Sequence, residues 1–224
     1  MPVTGQGQEA WERDYLQRGR RFGGSPPDLP SLPHGSIVLE AGCGDGKTLF
    51  AMSRRSWEIL ALDFSTEAVR ICTKAPYFKG MTGIIANLTA LPLCNASCDA
   101  VFLSHVIGHA REEERKKIAS ETIRILKPGG CLFFREFSRF DFRSNSGSLT
   151  EEGTRLRGDG ICTHYFTLQE VTTLFSDLSC HTISEEVWSL KTRGGVVPRA
   201  EIIAHFRKKT SPNDGVESGM SQQS

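Results

Sequence analysis

The chain has no apolar run near the length that a membrane helix needs, so no helical membrane span is expected in its 224 residues. Its first residues, Met1 to Gly7, lack a basic segment followed by an apolar core, and no secretory signal is expected. Charge imbalance is almost absent. With 27 Lys and Arg against 26 Asp and Glu, the net charge of +1 gives no global electrostatic pull toward nucleic acid. Cysteine is present seven times, but the number is odd and the positions are scattered. Cys94 and Cys98, the one close pair, have no second pair or His cluster to complete a zinc site, so no metal is expected. Thiols inside apolar runs behave as small hydrophobes, and a reducing, cytoplasmic setting is predicted. No internal repeat is evident. What is present is one domain of ordinary globular composition, 38% hydrophobic and 24% charged, large enough for a sheet-and-helix core.

Three parts are expected: a helix (Gln8 to Gln17) with a Pro-rich linker over 1–35, a main domain over 36–207, and a disordered tail over 208–224. From Ser36, apolar strand patterns (Ile37–Glu40, Trp57–Leu62, Gly83–Ala86, Ala100–Ser104, Cys131–Glu136) alternate with helical ones (Lys47–Arg54, Thr66–Lys74, Glu112–Leu126). That alternation predicts an α/β fold with a mostly parallel sheet. Lys127-Pro128-Gly129-Gly130 is expected to stop the last of these helices. Residues 138–160, rich in Ser, Gly, Arg and acids, read as a long loop. Thr167 and Glu170 have capping-box spacing before a helix at Gln169–Ser176. Two closing strands, His181–Leu190 and Ala200–Arg207, are expected to pair antiparallel at one edge.

The densest signal is Ile37-Val38-Leu39-Glu40-Ala41-Gly42-Cys43-Gly44-Asp45-Gly46, a strand running into a glycine turn with a helix behind it. Without Cβ atoms a ligand can lie against such a backbone. The spacing fits neither G-x-G-x-x-G nor G-x-x-x-x-G-K-[ST]. In an open parallel sheet the ligand lies at the carboxyl ends of the strands, which brings in Asp63 and Phe64 after the second strand, Asn87 and Leu88 after the third, and Ser104 and His105 after the fourth. Asp63 suits both hydroxyls of a ribose, or else an N-cap, although Ser65 can serve that purpose. Glu40 is a partner for an ammonium or a plain strand-end carboxylate. His105 is a general base or a pocket wall.

The E-x-G-x-G-x-G turn, Asp63, Asp99-Ala100-Val101 and Leu126-Lys127-Pro128-Gly129-Gly130 resemble the class I S-adenosylmethionine-dependent methyltransferases from about Trp11 to Arg207. The resemblance implies a Rossmann-like, seven-stranded, mostly parallel sheet with an antiparallel edge and helices on both faces. It implies S-adenosyl-L-methionine as cofactor, held by Glu40, Gly42, Cys43, Gly44, Asp63, Phe64, Asn87, Leu88 and Ser104. Asn87 would accept a bond from the adenine amine through its amide oxygen. In that class, in-line positioning and exclusion of water supply most of the rate.

Further along, Arg135-Glu136-Phe137-Ser138-Arg139-Phe140-Asp141, Arg157-Gly158-Asp159-Gly160 and Tyr165-Phe166-Thr167 resemble the R-D-Y-G-R-Y-D, R-G-D-G-T-R and Y-F-F-T elements of the tRNA 3-methylcytidine methyltransferases. Carried over by position, Arg135, Glu136 and Asp141 border the acceptor pocket, while Arg157 and Asp159 hold the long loop over it. Arg139 would meet a phosphate or a loop acid. Cys162 and His164 depart from the pattern, standing where that family has Arg and Tyr. Trp11-Glu12-Arg13-Asp14-Tyr15, with Gly19 and Phe22-Gly23, resembles the N-terminal lid of small-molecule and protein methyltransferases. Three readings follow: methylation of an RNA base, with a partner subunit supplying grip; methylation of a small molecule or protein side chain; or a donor-binding scaffold without catalysis.

Overall fold

A computed structural model describes residues 4–19, 28–192 and 194–210. Helix α1 (Thr4–Arg18) precedes strand β1 (Ile37–Ala41), helix α2 (Lys47–Met52), strand β2 (Glu58–Asp63), helix α3 (Thr66–Thr73) and strand β3 (Thr82–Ile85). The chain then returns to β4 (Cys98–Ser104), α4 (Glu112–Ile125) and β5 (Leu126–Phe137). Short strands β6 (Ser148–Glu151), β7 (Thr154–Leu156) and β8 (Cys162–His164) lead to α5 (Leu168–Leu174) and the closing pair β9 (Leu178–Thr192) and β10 (Gly195–Lys208).

The main sheet has seven strands in the order β3-β2-β1-β4-β5-β10-β9. β1 pairs in parallel with both β2 and β4, as β4 does with β5, whereas β10 runs antiparallel to β5 and β9. The expected antiparallel edge pair is therefore present, built around the reversed strand β10. Strand alternation divides the core in two. Leu39, Leu103, Leu132 and Phe134 pack with Ile118, Val171 and Phe175 on the face of α4 and α5. Val38, Ile59 and Ala100 pack with Leu49, Met52, Val69 and Cys72 on the face of α2 and α3. Truncating the fully buried Leu103 to Ala costs about 2–5 kcal/mol.

Two expectations need correction. Residues 138–160 are not a plain loop: after a 3-10 turn at Phe142–Asn145 they supply β6 and β7, which with β8 form a separate antiparallel sheet. Strands of three or four residues are too short to show alternation, and the turns at Gly153 (φ 71°) and Gly160 (φ 80°) read only as loop composition. Second, Lys127–Gly130 does not separate helix from strand, because β5 begins at Leu126 and runs through it. The Gly23-Gly24-Ser25-Pro26-Pro27 stretch, Phe22, Arg193 and residues 211–224 lie outside the described residues. Among the described residues no helix is long and apolar enough to cross a membrane.

The chain leaves β1 for β2 on one side and returns to β4 on the other, so the crevice at the carboxyl ends of β1 and β4 is the switch point. Helix α1 lies against it. Glu12 accepts hydrogen bonds from the Ser65 hydroxyl (2.5 Å) and the Glu67 amide (3.1 Å) at the start of α3, and Gln8 donates to the Phe64 carbonyl (2.8 Å). Ala10, Trp11 and Tyr15 pack with Ala68 and Ile161, tying α1 to the segment before β8.

Candidate active site

The glycine turn folds because three glycines adopt positive φ: Gly42 (75°), Gly44 (52°) and Gly46 (82°). The Gly42 and Cys43 amides both donate to the Leu62 carbonyl, at 2.7 and 2.9 Å. A Cβ on Gly42 would collide with Val106, whereas one on Gly44 would meet only the Tyr15 hydroxyl, 2.8 Å away. Gly42 is thus fixed by packing from below, and Gly44 faces the space under α1.

Asp63 ties this turn to β2. Its Oδ2 accepts from the Gly44 amide and its Oδ1 from the Ser65 amide, both at 2.9 Å. Burial raises its carboxyl to about 6, against the lowering effect of hydrogen bonds from Ser65, Gly44 and Phe64. The capping alternative falls to Ser65, whose hydroxyl accepts from the Ala68 amide (3.1 Å). Glu40, at the end of β1, is buried; its Oε2 has no hydrogen-bond partner. Burial pushes its carboxyl up to about 8, opposed by the Thr48 hydroxyl. An orphaned buried carboxyl facing a cavity fits a cationic ligand group.

Two cavities open here, of about 330 and 520 Å³. They share Trp11, Gly42, Asp63 and Phe64, so they are two ends of one crevice. Trp11 covers the junction, stacked on Tyr15 at 5.7 Å and set edge-on to His109 at 4.9 Å. Asn87 and Leu88 line the smaller cavity, and Cys43, Glu40 and Ser104 the larger. Asn87 differs in role from the expectation. Its Oδ1 already accepts from the Thr89 amide and hydroxyl, both at 2.9 Å, because a side-chain turn forms locally. The group not engaged by these bonds is its NH2, a donor suited to a ring nitrogen rather than to an exocyclic amine. Cys43 presents a protonated thiol, since its contact with Cys72 and burial raise its pKa well above the ordinary value.

At the far end of the larger cavity His105 follows β4 with φ 54°, an uncommon conformation for a non-glycine residue. Its Nε2 lies 3.3 Å from Glu201 Oε1, its ring stacks on Phe137 at 4.3 Å, and its buried Nδ1 has no partner. Glu201 Oε2 accepts from Arg135 Nε at 2.5 Å. Burial raises the Glu201 carboxyl, but the hydrogen bond and charge of His105, with Arg135, outweigh it and bring the value down to about 2. The imidazole is thus held by the Glu201 carboxylate and the Phe137 ring as part of the cavity wall.

Neighbouring strand residues point to opposite faces, and this separates Arg135 from Glu136. Arg135 lines the cavity, but Glu136 is a correction: it is turned away and buried, and its Oε1 accepts from the amides of Val106 (2.7 Å) and Gly108 (3.0 Å). It braces the turn that carries His105 instead of bordering the acceptor pocket. Arg157 reaches the cavity. Asp159 does not line it, because its Oδ2 accepts from Arg157 (2.5 Å) and its Oδ1 from the Ile161 amide (3.1 Å). Asp141 is likewise buried beneath the site, binding Arg143 (2.8 Å) and Arg199 (2.7 Å). Arg139 pairs with the loop acid Glu152 (3.3 Å) and with Glu170 (3.6 Å), away from the crevice. Sequence reasoning missed Glu201, Arg143, Arg199 and Trp188. An acid inside the apolar run Ala200-Glu201-Ile202-Ile203 was the one available signal.

A family model described as a methyltransferase domain matches residues 39–134. The tRNA N(3)-cytidine methyltransferase METTL2 of Danio rerio is 29% identical over 193 residues, which cover 80% of this chain and 54% of that protein. The human tRNA N(3)-cytidine methyltransferase METTL2B is 27% identical over 183 residues, 76% of this chain and 47% of that one. The chain spans about half the length of the curated relatives it matches. Among solved structures, a SAM-dependent methyltransferase from Methanosarcina mazei superposes with a TM-score of 0.66 at 23% identity, covering 80% of this chain and 95% of that one.

Proposed function

We propose that this chain, whose residues 39–134 match a methyltransferase domain and whose sheet has the order of a Rossmann-like fold, is a class I S-adenosylmethionine-dependent methyltransferase that methylates N3 of a cytidine in RNA. The observation that carries this reading is the continuous crevice. Its smaller cavity has Asn87 and Leu88, and its larger one holds the glycine turn, Glu40 and Asp63 together with Arg135 and Arg157 from the segments shared with the tRNA enzymes. The residues fit the cofactor: the orphaned Glu40 oxygen suits its ammonium, Asp63 its ribose hydroxyls, and Phe64 and Leu88 its adenine face. When bound, S-adenosylmethionine supplies a methyl group on a sulfonium, electrophilic at carbon.

N3 of neutral cytidine already carries a lone pair, so the chain's own contribution is chiefly positioning. Helix α1 closes the crevice through Trp11 and Tyr15 and excludes water. His105, fixed by Glu201, and Arg135 set the polar edge against which the acceptor base lies. α1 acts as the lid of the domain that begins at Ser36. The near-neutral net charge supports a partner subunit that supplies grip on RNA. Seven free thiols support a cytoplasmic location. The closed lid favours a second reading, methylation of a small nucleotide.

The test is incubation of the full chain with methyl-labelled S-adenosylmethionine and total tRNA, followed by nucleoside mass spectrometry. Labelled 3-methylcytidine is expected. Label in no RNA nucleoside, from protein that binds the cofactor, overturns the RNA reading.

A further inference from the structure

The sheet order lays out the larger cavity from one end to the other. After the glycine turn of β1 come His105 just beyond β4, Arg135 and Phe137 on β5, Glu201 and Arg199 on β10, and Trp188 on β9. Arg143, from the 3-10 turn after β5, and Arg157, from the turn between β7 and β8, close the same end. Four guanidinium groups therefore meet there, and the acids paired with them are three: Glu201 with Arg135, Asp159 with Arg157, and Asp141 with both Arg143 and Arg199. One positive charge is left over, in a cavity wall and not on an open surface.

The sharing of Asp141 decides where that charge points. Its carboxylate is fully buried beneath the pair, and both oxygens are engaged: Oδ1 by Arg143 Nε (2.8 Å), Oδ2 by Arg199 Nε (2.7 Å). Arg143 adds a second, longer bond from Nη2 to Oδ2 (3.3 Å). The guanidinium carbons lie over the Phe137 ring, 4.0 Å from its centre for Arg143 and 4.9 Å for Arg199, and that of Arg199 is also 5.7 Å from the Trp188 ring centre. Anchored at Nε and packed against aromatic rings, such groups are pre-organised, so little entropy is lost when their terminal N–H groups bind. The hydrogen bonds that these two side chains make among the described residues all go to Asp141, and they engage neither terminal nitrogen of Arg199 and only one of Arg143. Arg157, held by Asp159, adds donors from a separate segment. Donors converging from three segments match a tetrahedral anion, whose oxygens accept from several directions.

We infer that Arg143 and Arg199, with Arg157, form a subsite for a phosphate group carried by the methyl acceptor. This rests on the reading of the crevice as a methyltransferase site and names the part of the acceptor that the cavity end holds. The phosphate comes either from the backbone of an RNA or from a free nucleotide, and both present the same chemistry.

The experiment is calorimetric titration of the full chain, saturated with S-adenosylhomocysteine, with cytidine, cytidine 5′-monophosphate, uridine 5′-monophosphate and a short single-stranded RNA containing one cytidine. Cytidine 5′-monophosphate is expected to bind at least tenfold tighter than cytidine. R199Q and R143Q should remove that advantage while S-adenosylhomocysteine affinity stays within twofold. R157Q, whose acid partner is not shared, gives the same test if loss of an Asp141 partner prevents folding. R139Q, remote from the crevice, should leave the advantage unchanged. Tighter binding of the oligonucleotide identifies RNA as the source of the phosphate, and tighter binding of the mononucleotide identifies a free nucleotide. Equal affinity for uridine and cytidine monophosphates overturns the cytidine reading and leaves the phosphate subsite standing. Equal affinity for cytidine and its monophosphate in the wild-type chain overturns the subsite itself.

Discussion

His105 Nε2 lies 3.3 Å from Glu201 Oε1, so the residue just beyond β4 at the crevice edge is held by the strand that runs the other way. That pair, with Arg135 on the second Glu201 oxygen, fixes the polar wall of the larger cavity across three strands. It also gives the molecule a pH signature.

Glu201 titrates near 2 in the folded chain, below its ordinary value of 4.5. A depressed carboxyl contributes stability that is complete above the unfolded pKa and is lost as pH falls through the folded one. Wild-type stability should therefore decline between about pH 4.5 and 2, by about 3 kcal/mol from this group. Glu201→Gln should lower stability at pH 7 and flatten that part of the curve in urea titrations. An unchanged slope would show that other carboxylates govern acid unfolding.

Glu40 is displaced in the opposite direction, to about 8. A raised carboxyl favours folding below its unfolded pKa of 4.5, and that advantage is lost as pH rises through 8. Glu40→Gln should then be more stable than wild type at pH 9. An ammonium beside Glu40 needs the carboxylate, so binding of S-adenosylhomocysteine near pH 7 should release a proton. Calorimetry in two buffers of different ionisation enthalpy reads that proton directly, and its persistence in Glu40→Gln would remove Glu40 from the site.

Gly42 and Gly44 should fail in different ways. Gly42→Ala brings a Cβ into Val106 and into a φ of 75°, so its thermal transition should fall, and Val106→Ala in the same chain should restore part of it. Gly44→Ala meets only the end of the Tyr15 side chain, at 2.8 Å. At a φ of 52° it bears backbone strain without a collision against a fixed wall, so its thermal transition should fall less than that of Gly42→Ala while cofactor affinity drops at least tenfold. Equal thermal losses in both variants would contradict this division.

Much of the fold was legible in the sequence because parallel strands buried on both faces leave continuous apolar runs, as at Ile37–Leu39 and Ala100–Leu103. The capping box of Thr167 and Glu170 was readable from spacing alone, and both of its bonds form. The small sheet was not readable, since its strands hold three or four residues. In the site, the glycine turn and Asp63 were legible because chain-local geometry dictates them. Arg135 and Glu136 are adjacent in sequence, and only the pleat separates a cavity residue from a brace. Glu201, Arg143 and Arg199 were hidden because they reach the crevice through a reversed strand and a shared acid, Asp141, that no local pattern reports.

The most direct measurement is calorimetric titration of the full chain with S-adenosylhomocysteine, beside the Asp63→Ala variant. Asp63 holds the Gly44 amide and lines both cavities. The account predicts one site of micromolar affinity, about −8 kcal/mol, weakened by about 1–3 kcal/mol in the variant. Absence of binding by folded wild-type chain, or affinity unchanged in Asp63→Ala, would contradict it.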